Sequence, residues 1–431
     1  MSSNEVTPEM LKRLSEIRHL VEEANKKTIE TIMKAEAVLI DMKPAIKAIP
    51  GFKENMILHS GPPIEWKRMS KVQKVAIINT IMAEGLADTP ERAEKLVETG
   101  EIILAPNHAF KNVSGMCGVT SPSCPVFVFR NPVHGNEAYS WMQTDLTAFG
   151  IKFEKGIDEW KFVVNVLGPV LGEAIRSSKG INIKEMMALA LQRGDDLHSI
   201  HYAANGIFIT WLLPYLIEIG FDKQTVKAVA KFFNEKTHTA QWFAGNLVLG
   251  ACKVMMDAAR NIKYSTVVVA MSRNGVEFGI QVSGLGDRWF TGPAGRIKGF
   301  LFPGYSEEDA ALDIGDSAIT ETRGVGAFAL ASSPSQARLV GGLQKAVELV
   351  NMMRQITLAE DPYFKIPYMN YIGVPVGIDI RKVLATGIVP RIITGIAHKE
   401  GGYSLIGVGI SEAPIQAFKK ALLAFAKEYG K

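Results

Sequence analysis

The chain has 431 residues, of which 47% are apolar and 21% charged, and its formal net charge is +4. This composition is typical of a soluble globular protein, and the length predicts two or three domains. The small charge and the lack of a basic run interleaved with aromatic residues argue against nucleic-acid binding. Three cysteines without a CxxC pair, together with a polar N-terminus, indicate a cytoplasmic protein in a reducing compartment.

Residues 1–42 are predicted to form an N-terminal helical arm, with an amphipathic helix over 7–42. Thr7 can cap this helix, and Pro8 suits its first turn. Two interpretations of its apolar stripe remain open: the helix packs on its own domain, or it contacts another subunit.

Residues 43–154 are predicted to form a first α/β domain, with strands near 56–58, 102–105 and 126–129 and helices near 71–84 and 89–98. His59, Asn107 and His108 directly follow strands, and Thr120 and Ser121 lie in a polar loop over 114–125. Ligands of such sheets bind beyond the carboxyl ends of strands. These five residues are therefore candidate ligand-binding residues.

Residues 155–262 are predicted to form a helical domain. Its most apolar run, 207–219, is too short to span a bilayer and contains Pro214, so a buried helix is expected. Asp195, Asp196, His198 and His201 have a spacing that a metal site could use. Paired acids also favour a helix N-terminus, and this second interpretation is preferred. No metal or other cofactor is expected.

Residues 263–431 are predicted to form a second α/β domain. Two apolar arms joined by Asn274-Gly275 predict a β-hairpin with a type I′ turn over 266–283. A helix near 335–359, strands near 374–380 and 405–410, and a final helix over 413–429 follow. The predicted fold is therefore mixed α/β: two α/β domains flank a helical domain, with an amphipathic helix in front.

Several polar clusters in this last part suggest a site. Arg288 lies between Gly286 and Trp289, where a guanidinium needs an anionic ligand or an acidic partner such as Asp287 or Asp316. Within six residues, Asp316 and Glu321 supply two carboxylates and Ser317 and Thr320 supply two hydroxyls. Further on, the imidazole of His398 is followed directly by the amine of Lys399.

Residues 324–329 match the pattern G-x-G-x-x-A, which can mark a dinucleotide site. Neither an apolar strand before the pattern nor a long helix after it is predicted here. Tight backbone packing is therefore the preferred interpretation, and a nicotinamide-dependent oxidoreductase is a weak alternative.

Seven strings in one order, together with Trp66, resemble the YlbE/AllG-like family, domain-of-unknown-function family 1116: 58–63 (LHSGPP), 271–275 (MSRNG), 278–280 (FGI), 283–290 (SGLGDRWF), 315–322 (GDSAITET), 377–381 (GIDIR) and 395–400 (GIAHKE). The family's helical motif is matched by Gly194-Asp195-Asp196-x-His198. The resemblance runs from about Thr28 to the C-terminus. It implies two α/β domains with a helical one.

The resemblance also implies one subunit of an oxamate carbamoyltransferase of purine (allantoin) nitrogen catabolism. Such a subunit works with an FdrA-like subunit, a further subunit and a carbamate kinase, and a homo-oligomer is expected. The reaction would transfer a carbamoyl group between carbamoyl phosphate and an oxamate-like acid, without a cofactor. Positioning and charge stabilisation can supply most of the rate of such a transfer.

Roles follow as hypotheses from this chemistry. Arg273, Asn274 and Arg288 bind anions, Lys399 binds phosphate, and Ser317 and Thr320 donate to phosphate. His398 carries the proton or donates to the carbonyl, and Asp316 and Glu321 orient amide N–H groups or His398. The candidate residues of the first domain close the other wall: His59, Asn107, His108, Thr120 and Ser121.

A second hypothesis is a non-catalytic structural or regulatory subunit, in which the arginines form interdomain salt bridges. A pocket lined jointly by Arg288, Asp316 and His398 would favour the enzyme. The same residues spread apart and paired would favour the scaffold.

Overall fold

The computed structural model describes residues 7–235 and 237–430, so residues 1–6 of the predicted arm lie outside the described part. The helices are α1 Pro8–Glu16, α2 Arg18–Lys34, α3 Ala45–Ala48, α4 Lys71–Ala83, α5 Pro90–Glu98, α6 Asp145–Phe149, α7 Phe153–Phe162, α8 Gly168–Ser177, α9 Ile183–Gln192, α10 Tyr202–Ile219, α11 Lys223–Asn234, α12 His238–Gln241, α13 Phe243–Asp257, α14 Ile319–Arg323, α15 Pro334–Ala337, α16 Leu343–Arg354, α17 Ile380–Thr386 and α18 Ile415–Tyr429.

The strands are β1 Val38–Pro44, β2 Met56–His59, β3 Ile103–Pro106, β4 Asn112–Val113, β5 Val119–Thr120, β6 Pro125–Arg130, β7 Glu137–Trp141, β8 Ile181–Asn182, β9 Val268–Asn274, β10 Glu277–Val282, β11 Phe290–Pro293, β12 Lys298–Leu301, β13 Ile314–Gly315, β14 Thr357–Ile366, β15 Ile372–Ile378, β16 Arg391–Ile396 and β17 Gly407–Glu412. Five sheets result, with strand orders β4-β7-β6-β1-β8, β3-β2-β5, β11-β10-β9-β13, β12-β17-β16 and β14-β15. The mixed α/β class is therefore confirmed.

The N-terminal helices begin as predicted, since Thr7 Oγ1 accepts the N–H of Met10 at 3.2 Å. The prediction of a helix as far as residue 42 is wrong, because β1 pairs with β6 and β8 inside the first sheet. The inner face of α2 packs on the chain's own second α/β region. There Asn25 Nδ2 donates to Thr266 Oγ1 and Thr28 Oγ1 donates to Ser265 Oγ, both at 2.8 Å.

The hairpin of β9 and β10 is confirmed, and β9 is buried along its whole length. Its turn is not type I′, because that turn needs a positive φ at both central residues and only Gly275 has one, at 79°. Asn274 instead remains in β9 and pairs with Ile314 of β13. Its Oδ1 accepts the N–H groups of Val276 and Glu277, so the side chain closes a longer loop.

Helices α7 to α13 cover the region predicted to be helical, 155–262, with the two-residue strand β8 between α8 and α9. Its separation as a domain stays a prediction. The apolar stretch 207–219 is helical as predicted and lies within α10, but the prediction that it is buried holds only for part of it. Helix α10 begins at Tyr202, and Leu213 and Ile217 remain 48% and 69% exposed because α10 and α11 leave an apolar groove between them. By length and composition α10 would be long enough to cross a membrane, but helices of soluble proteins also meet this criterion.

Two elements of the last part were not anticipated. The helix predicted near 335–359 ends at Arg354, and Thr357–Ile366 forms a long strand paired with β15. Strand β16, Arg391–Ile396, pairs with β17 and carries Thr394 toward the interior. The largest apolar core runs from Val21 in α2 to Phe425 in α18, and it includes residues of the first sheet, the helical region and the hairpin.

Candidate active site

The segment from β13 through α14 is the polar centre of the molecule. Every residue from Ile314 to Arg323 is buried, although the segment carries carboxylates, hydroxyls and an arginine. A buried charge is costly unless hydrogen bonds or an opposite charge compensate it. Two groups of contacts provide this compensation, one around Asp316 and one around Glu321.

Asp316 joins the first α/β region to the second. Its carboxylate accepts the N–H of Gly61 at 2.8 Å, the Nδ2–H of Asn107 at 3.0 Å and the N–H of Ser114 at 3.1 Å, as well as the hydroxyl of Ser272. Burial raises the pKa of Asp316, and these hydrogen bonds oppose that rise. The sequence-predicted residue Asn107 is therefore a direct partner of the sequence-predicted residue Asp316.

Thr120 and His108 lie beside this Asp316 network. Asn112 Nδ2 donates to Asn107 Oδ1 at 2.7 Å and to Thr120 Oγ1 at 2.9 Å. His108 Nε2 is 3.7 Å from Asp316 Oδ1, and neither ring nitrogen has a hydrogen-bond partner among the described residues. Burial, followed by the charges of Lys253 and Arg260, holds the pKa of His108 well below its ordinary value.

Arg273 is buried, and its guanidinium donates hydrogen bonds to other groups of the protein. It donates to Asp313 Oδ1 at 2.9 Å, to the carbonyl of Gly315 at 2.7 Å and to Thr394 Oγ1 at 3.1 Å. Ser317 Oγ lies at 3.3 Å from the same group. Arg273 therefore links β9, β13 and β16. Next to it, Asn274 Nδ2 donates to the carbonyl of Pro62, and this bond links β9 to the loop after β2.

Glu321 holds a histidine that lies 123 residues earlier in the chain. His198 Nδ1 is 2.8 Å from Glu321 Oε1 and 2.9 Å from Oε2, and Thr320 Oγ1 donates to Oε2 at 2.9 Å. A carboxylate only accepts hydrogen bonds, so these contacts assign the proton to Nδ1. Among the described residues, no group hydrogen-bonds to Nε2, which therefore keeps a free lone pair in the neutral ring.

His198 lines a small internal chamber of about 50 Å³. The chamber lies between the helical region and the second α/β region, and its polar lining consists of Gln143, His198, Ser199, His238, Ser317 and Thr394. Trp242 lies beside it, donates from Nε1 to the carbonyl of His198 at 3.1 Å, and stacks on His238. A histidine oriented by a carboxylate, facing hydroxyl groups, can accept a proton from a bound substrate.

Two aspartates fix the backbone before and after His198 through hydrogen bonds. Asp196 accepts the N–H groups of His198 at 2.9 Å and Ile200 at 3.0 Å, and Asp195 accepts those of Ala203 and Ala204 at the start of α10. The interpretation of the paired acids as a helix start is therefore confirmed. Among residues 7–235 and 237–430, no group of three or more His, Cys, Asp or Glu is arranged to hold a metal ion.

The two glycines of the G-x-G-x-x-A pattern pack closely rather than preceding a long helix. Both have positive φ, 99° at Gly324 and 67° at Gly326, and a buried 3-10 turn follows. A Cβ on Gly326 would lie 2.2 Å from Glu321 Oε1 and 3.0 Å from the Cβ of His198. The packing interpretation is thus confirmed, and it serves the His198–Glu321 pair directly.

Other sequence-predicted residues line neither the chamber nor the Asp316 network. Arg288 has a side chain 49% exposed and pairs with Glu428 at 3.2 Å. His398 stacks on Tyr403 and lies 3.9 Å from Asp309, with Lys399 beside it at the surface. The expected joint pocket of Arg288, Asp316 and His398 is therefore not formed, and the roles suggested for Arg288, His398 and Lys399 stay predictions.

The remaining two candidates of the first region are buried. His59 Nδ1 lies 2.9 Å from the carbonyl of Ser60, and burial lowers the pKa of His59 to about 4. Ser121 Oγ is buried without a partner among the described residues. Neither residue contacts Asp316 or His198, so their proposed contribution to a ligand site also stays a prediction.

Of the six polar residues named above as lining the chamber, only Ser317 was predicted from the sequence to be a site residue. The other five were not: Gln143, His198, Ser199, His238 and Thr394. His198 was available, because it belongs to the helical motif Gly194-Asp195-Asp196-x-His198, but it was considered only as a metal ligand. Gln143 and His238 had no local signal. They meet only because α12 folds back against the loop before α6.

The comparisons with known proteins agree with this architecture. The family model "Oxamate carbamoyltransferase subunit AllG" matches residues 102–317. The chain is 41% identical to the uncharacterized protein YahG of Escherichia coli K12 over 94% of this chain and 86% of YahG. It is 38% identical to the oxamate carbamoyltransferase subunit AllG of the same strain over 95% of this chain and 99% of AllG.

A crystal structure of a conserved protein of unknown function from Enterococcus faecalis V583 has the same fold. It superposes with a TM-score of 0.93 at 38% identity, covering 96% of this chain and 99% of that one. The resemblance noticed in the sequence strings is therefore confirmed over nearly the whole chain. The chain belongs to the AllG family of oxamate carbamoyltransferase subunits.

Proposed function

We propose that this chain is a catalytic subunit of an oxamate-type carbamoyltransferase and that the chamber at His198 receives the reacting end of the substrate. The observation that carries the proposal is the pairing of Nδ1 of His198, a residue that lines the chamber, with Glu321; Nε2 has no hydrogen-bond partner among the described residues. Family membership supplies the reaction class, because the relative AllG is described as an oxamate carbamoyltransferase subunit.

In the proposed step, the nitrogen of an oxamate-like acid attacks the carbamoyl carbon of carbamoyl phosphate. A new C–N bond forms, the C–O bond to phosphate breaks, and phosphate leaves with the electron pair. His198 Nε2 accepts the proton that the nitrogen loses, while Glu321 stabilises the resulting imidazolium. Ser317 lines the same chamber, and its hydroxyl can donate to a carbonyl or phosphate oxygen. The hydroxyls of Ser199 and Thr394 already donate to Asp196 and to the carbonyl of Gly395.

The small size of the chamber supports a substrate site that is completed by partner subunits. At about 50 Å³ it has room for a group of a few heavy atoms, since one water needs roughly 30 Å³ in the liquid. The rest of both substrates would extend out of the chamber. We propose that partner subunits, one of them FdrA-like, supply the missing walls in a cytoplasmic complex of purine nitrogen catabolism.

The test is turnover of the complex reconstituted with its partner subunits, measured as phosphate release from carbamoyl phosphate in the presence of oxamate. His198→Gln should lower kcat about 100-fold or more, which is the usual contribution of a proton acceptor. His134→Gln is the matched control, because His134 is exposed and lies outside the chamber. A His198→Gln complex with full activity would overturn the proposed role.

The alternative is a non-catalytic subunit, and one observation favours it. Arg273 and Asp316 are fully engaged by the protein, and Arg288 forms a surface ion pair, as a scaffold would require. Turnover that survives both His198→Gln and His398→Gln would favour the non-catalytic subunit. Loss of turnover only in His398→Gln would instead place the chemistry of this chain in the surface cluster of His398, Tyr305 and Tyr403.

A further inference from the structure

Gln143 is a buried amide with one unused oxygen. It is 1% exposed and lies in the loop before α6, where it lines the chamber. Its Nε2 is 2.7 Å from Nδ1 of His238, while its Oε1 has no hydrogen-bond partner among the described residues. An unpaired buried acceptor costs free energy, so a ligand N–H at this position would remove a penalty as well as add a bond.

His238 complements Gln143 on the same wall. Because the Gln143 amide N–H donates to Nδ1, the neutral ring carries its proton on Nε2. The ring is held on two sides, since it stacks on Trp242 and meets the edge of Phe149 with ring centroids 5.1 Å apart. Asp145 Oδ1 is the acidic group facing it, at 3.6 Å from Nδ1. His238 therefore fixes the Gln143 amide, and Gln143 Oε1 remains the unpaired acceptor.

We infer that Gln143 recognises the NH₂ group of a primary carboxamide, with Oε1 accepting one of its N–H groups while His238 holds the Gln143 amide in this orientation. A primary carboxamide supplies the N–H donor that this acceptor lacks. Its three heavy atoms also suit a chamber of about 50 Å³. The inference rests on the proposed function in one respect: it takes the chamber to be the substrate site.

Two sources of this group fit the chemistry, the NH₂–C=O of carbamoyl phosphate and the carboxamide end of an oxamate-like acid. Each has a near-isosteric analogue in which CH₃ replaces NH₂: acetyl phosphate for carbamoyl phosphate, and pyruvate for oxamate. A methyl group cannot donate to Gln143 Oε1. If the protein binds an amide more tightly than its methyl analogue, that amide is the substrate whose NH₂ group enters the chamber.

The experiment measures the binding of these four probes by calorimetry, on the full chain and on the reconstituted complex. Wild type should bind at least one amide about tenfold or more tightly than its methyl analogue, because the analogue leaves Gln143 Oε1 unpaired. Gln143→Met should abolish most of this preference. Gln281→Met is the matched control, since Gln281 is an equally buried glutamine that bonds to Arg260 outside the chamber.

The outcomes separate this inference from the proposed reaction. Equal affinity of wild type for both members of both pairs would overturn the inference even if Gln143→Met failed to fold. An amide preference that Gln143→Met retains would also overturn it. An amide preference lost in Gln143→Met but kept in His198→Gln supports it, and it would do so even if the complex showed no carbamoyl transfer, in which case only the proposed reaction would fail.

Discussion

His198 and Glu321 come from two distant parts of the chain and meet through both carboxylate oxygens, at 2.8 and 2.9 Å from the same ring nitrogen. Glu321 also accepts the backbone N–H of Ala327 at 3.0 Å. This carboxylate is therefore fixed by the turn that follows α14, and it transmits that rigidity to the imidazole. Substitutions of these residues and of their neighbours should therefore have measurable effects on activity and stability.

Glu321→Gln should lower kcat by about tenfold to 100-fold with little change in KM. The amide keeps the shape of the side chain but loses the charge that stabilises the His198 imidazolium. Steady-state kinetics of the reconstituted complex give both constants. Glu428→Gln is the control, because Glu428 is half-exposed and pairs only with Arg288 at the surface. A large rise in KM with unchanged kcat would contradict an effect on the proton-transfer step.

Gly326→Ala should reduce the free energy of unfolding by about 1–3 kcal/mol and reduce activity as well. The new Cβ would clash with Glu321 Oε1, and φ of 67° disfavours any side chain. Thermal unfolding monitored by circular dichroism measures the first effect. Gly206→Ala is the matched control: Gly206 lies in α10 with open space around it, and alanine there should stabilise by up to about 1 kcal/mol. Equal stability of the two variants would contradict the close-packing role of Gly326.

Asp316→Asn should destabilise the fold by about 1.5–3 kcal/mol, because it leaves donors of Gly61, Ser114 and Asn107 facing an amide instead of a carboxylate. Chemical denaturation gives the value. Asp287→Asn removes a carboxylate that is 81% exposed and pairs with Arg260, so it should change stability by no more than about 1 kcal/mol. A similar small effect for both would show that Asp316 does not hold the two regions together.

His201 should contribute a loss of stability as the pH is lowered from about 6.5 toward 4. Burial lowers the pKa of His201 to about 3, so between these pH values the unfolded chain binds a proton that the folded chain does not. His201→Met should therefore flatten the dependence of unfolding free energy on pH over this range. Burial raises the pKa of Asp195 to about 7, which acts in the opposite sense, but Asp195 is present in both proteins and cancels in the comparison.

The control for this pH experiment is His134→Gln, since His134 is exposed. Its stability curve should keep the wild-type slope. An unchanged slope in His201→Met would contradict the assignment of a buried, neutral His201. Burial also lowers the pKa of His59, to about 4, and that of His108, so both contribute to the slope that should remain in His201→Met.

Local signals predicted much of the secondary structure. Thr7-Pro8 and Thr89-Pro90 start helices as expected because a capping hydroxyl and a proline act within one turn. The apolar β-branched run of β9 likewise forms a buried strand. The predictions failed where a partner distant in sequence decides the conformation: β1 is a strand because β6 and β8 flank it, and Asn274 stays extended because β13 pairs with it.

The family, the mixed α/β class and the polar segment around Asp316 and Glu321 are readable from the chain alone, since each depends on residue types within short continuous strings. Which histidine Glu321 orients follows from the folding of the chain, because His198 lies 123 residues away and His398 lies on a different surface. Folding also placed Gln143 beside His238, which are 95 residues apart. Hydrogen bonds between distant side chains leave no local pattern, so a site built from them becomes visible only once the chain is folded.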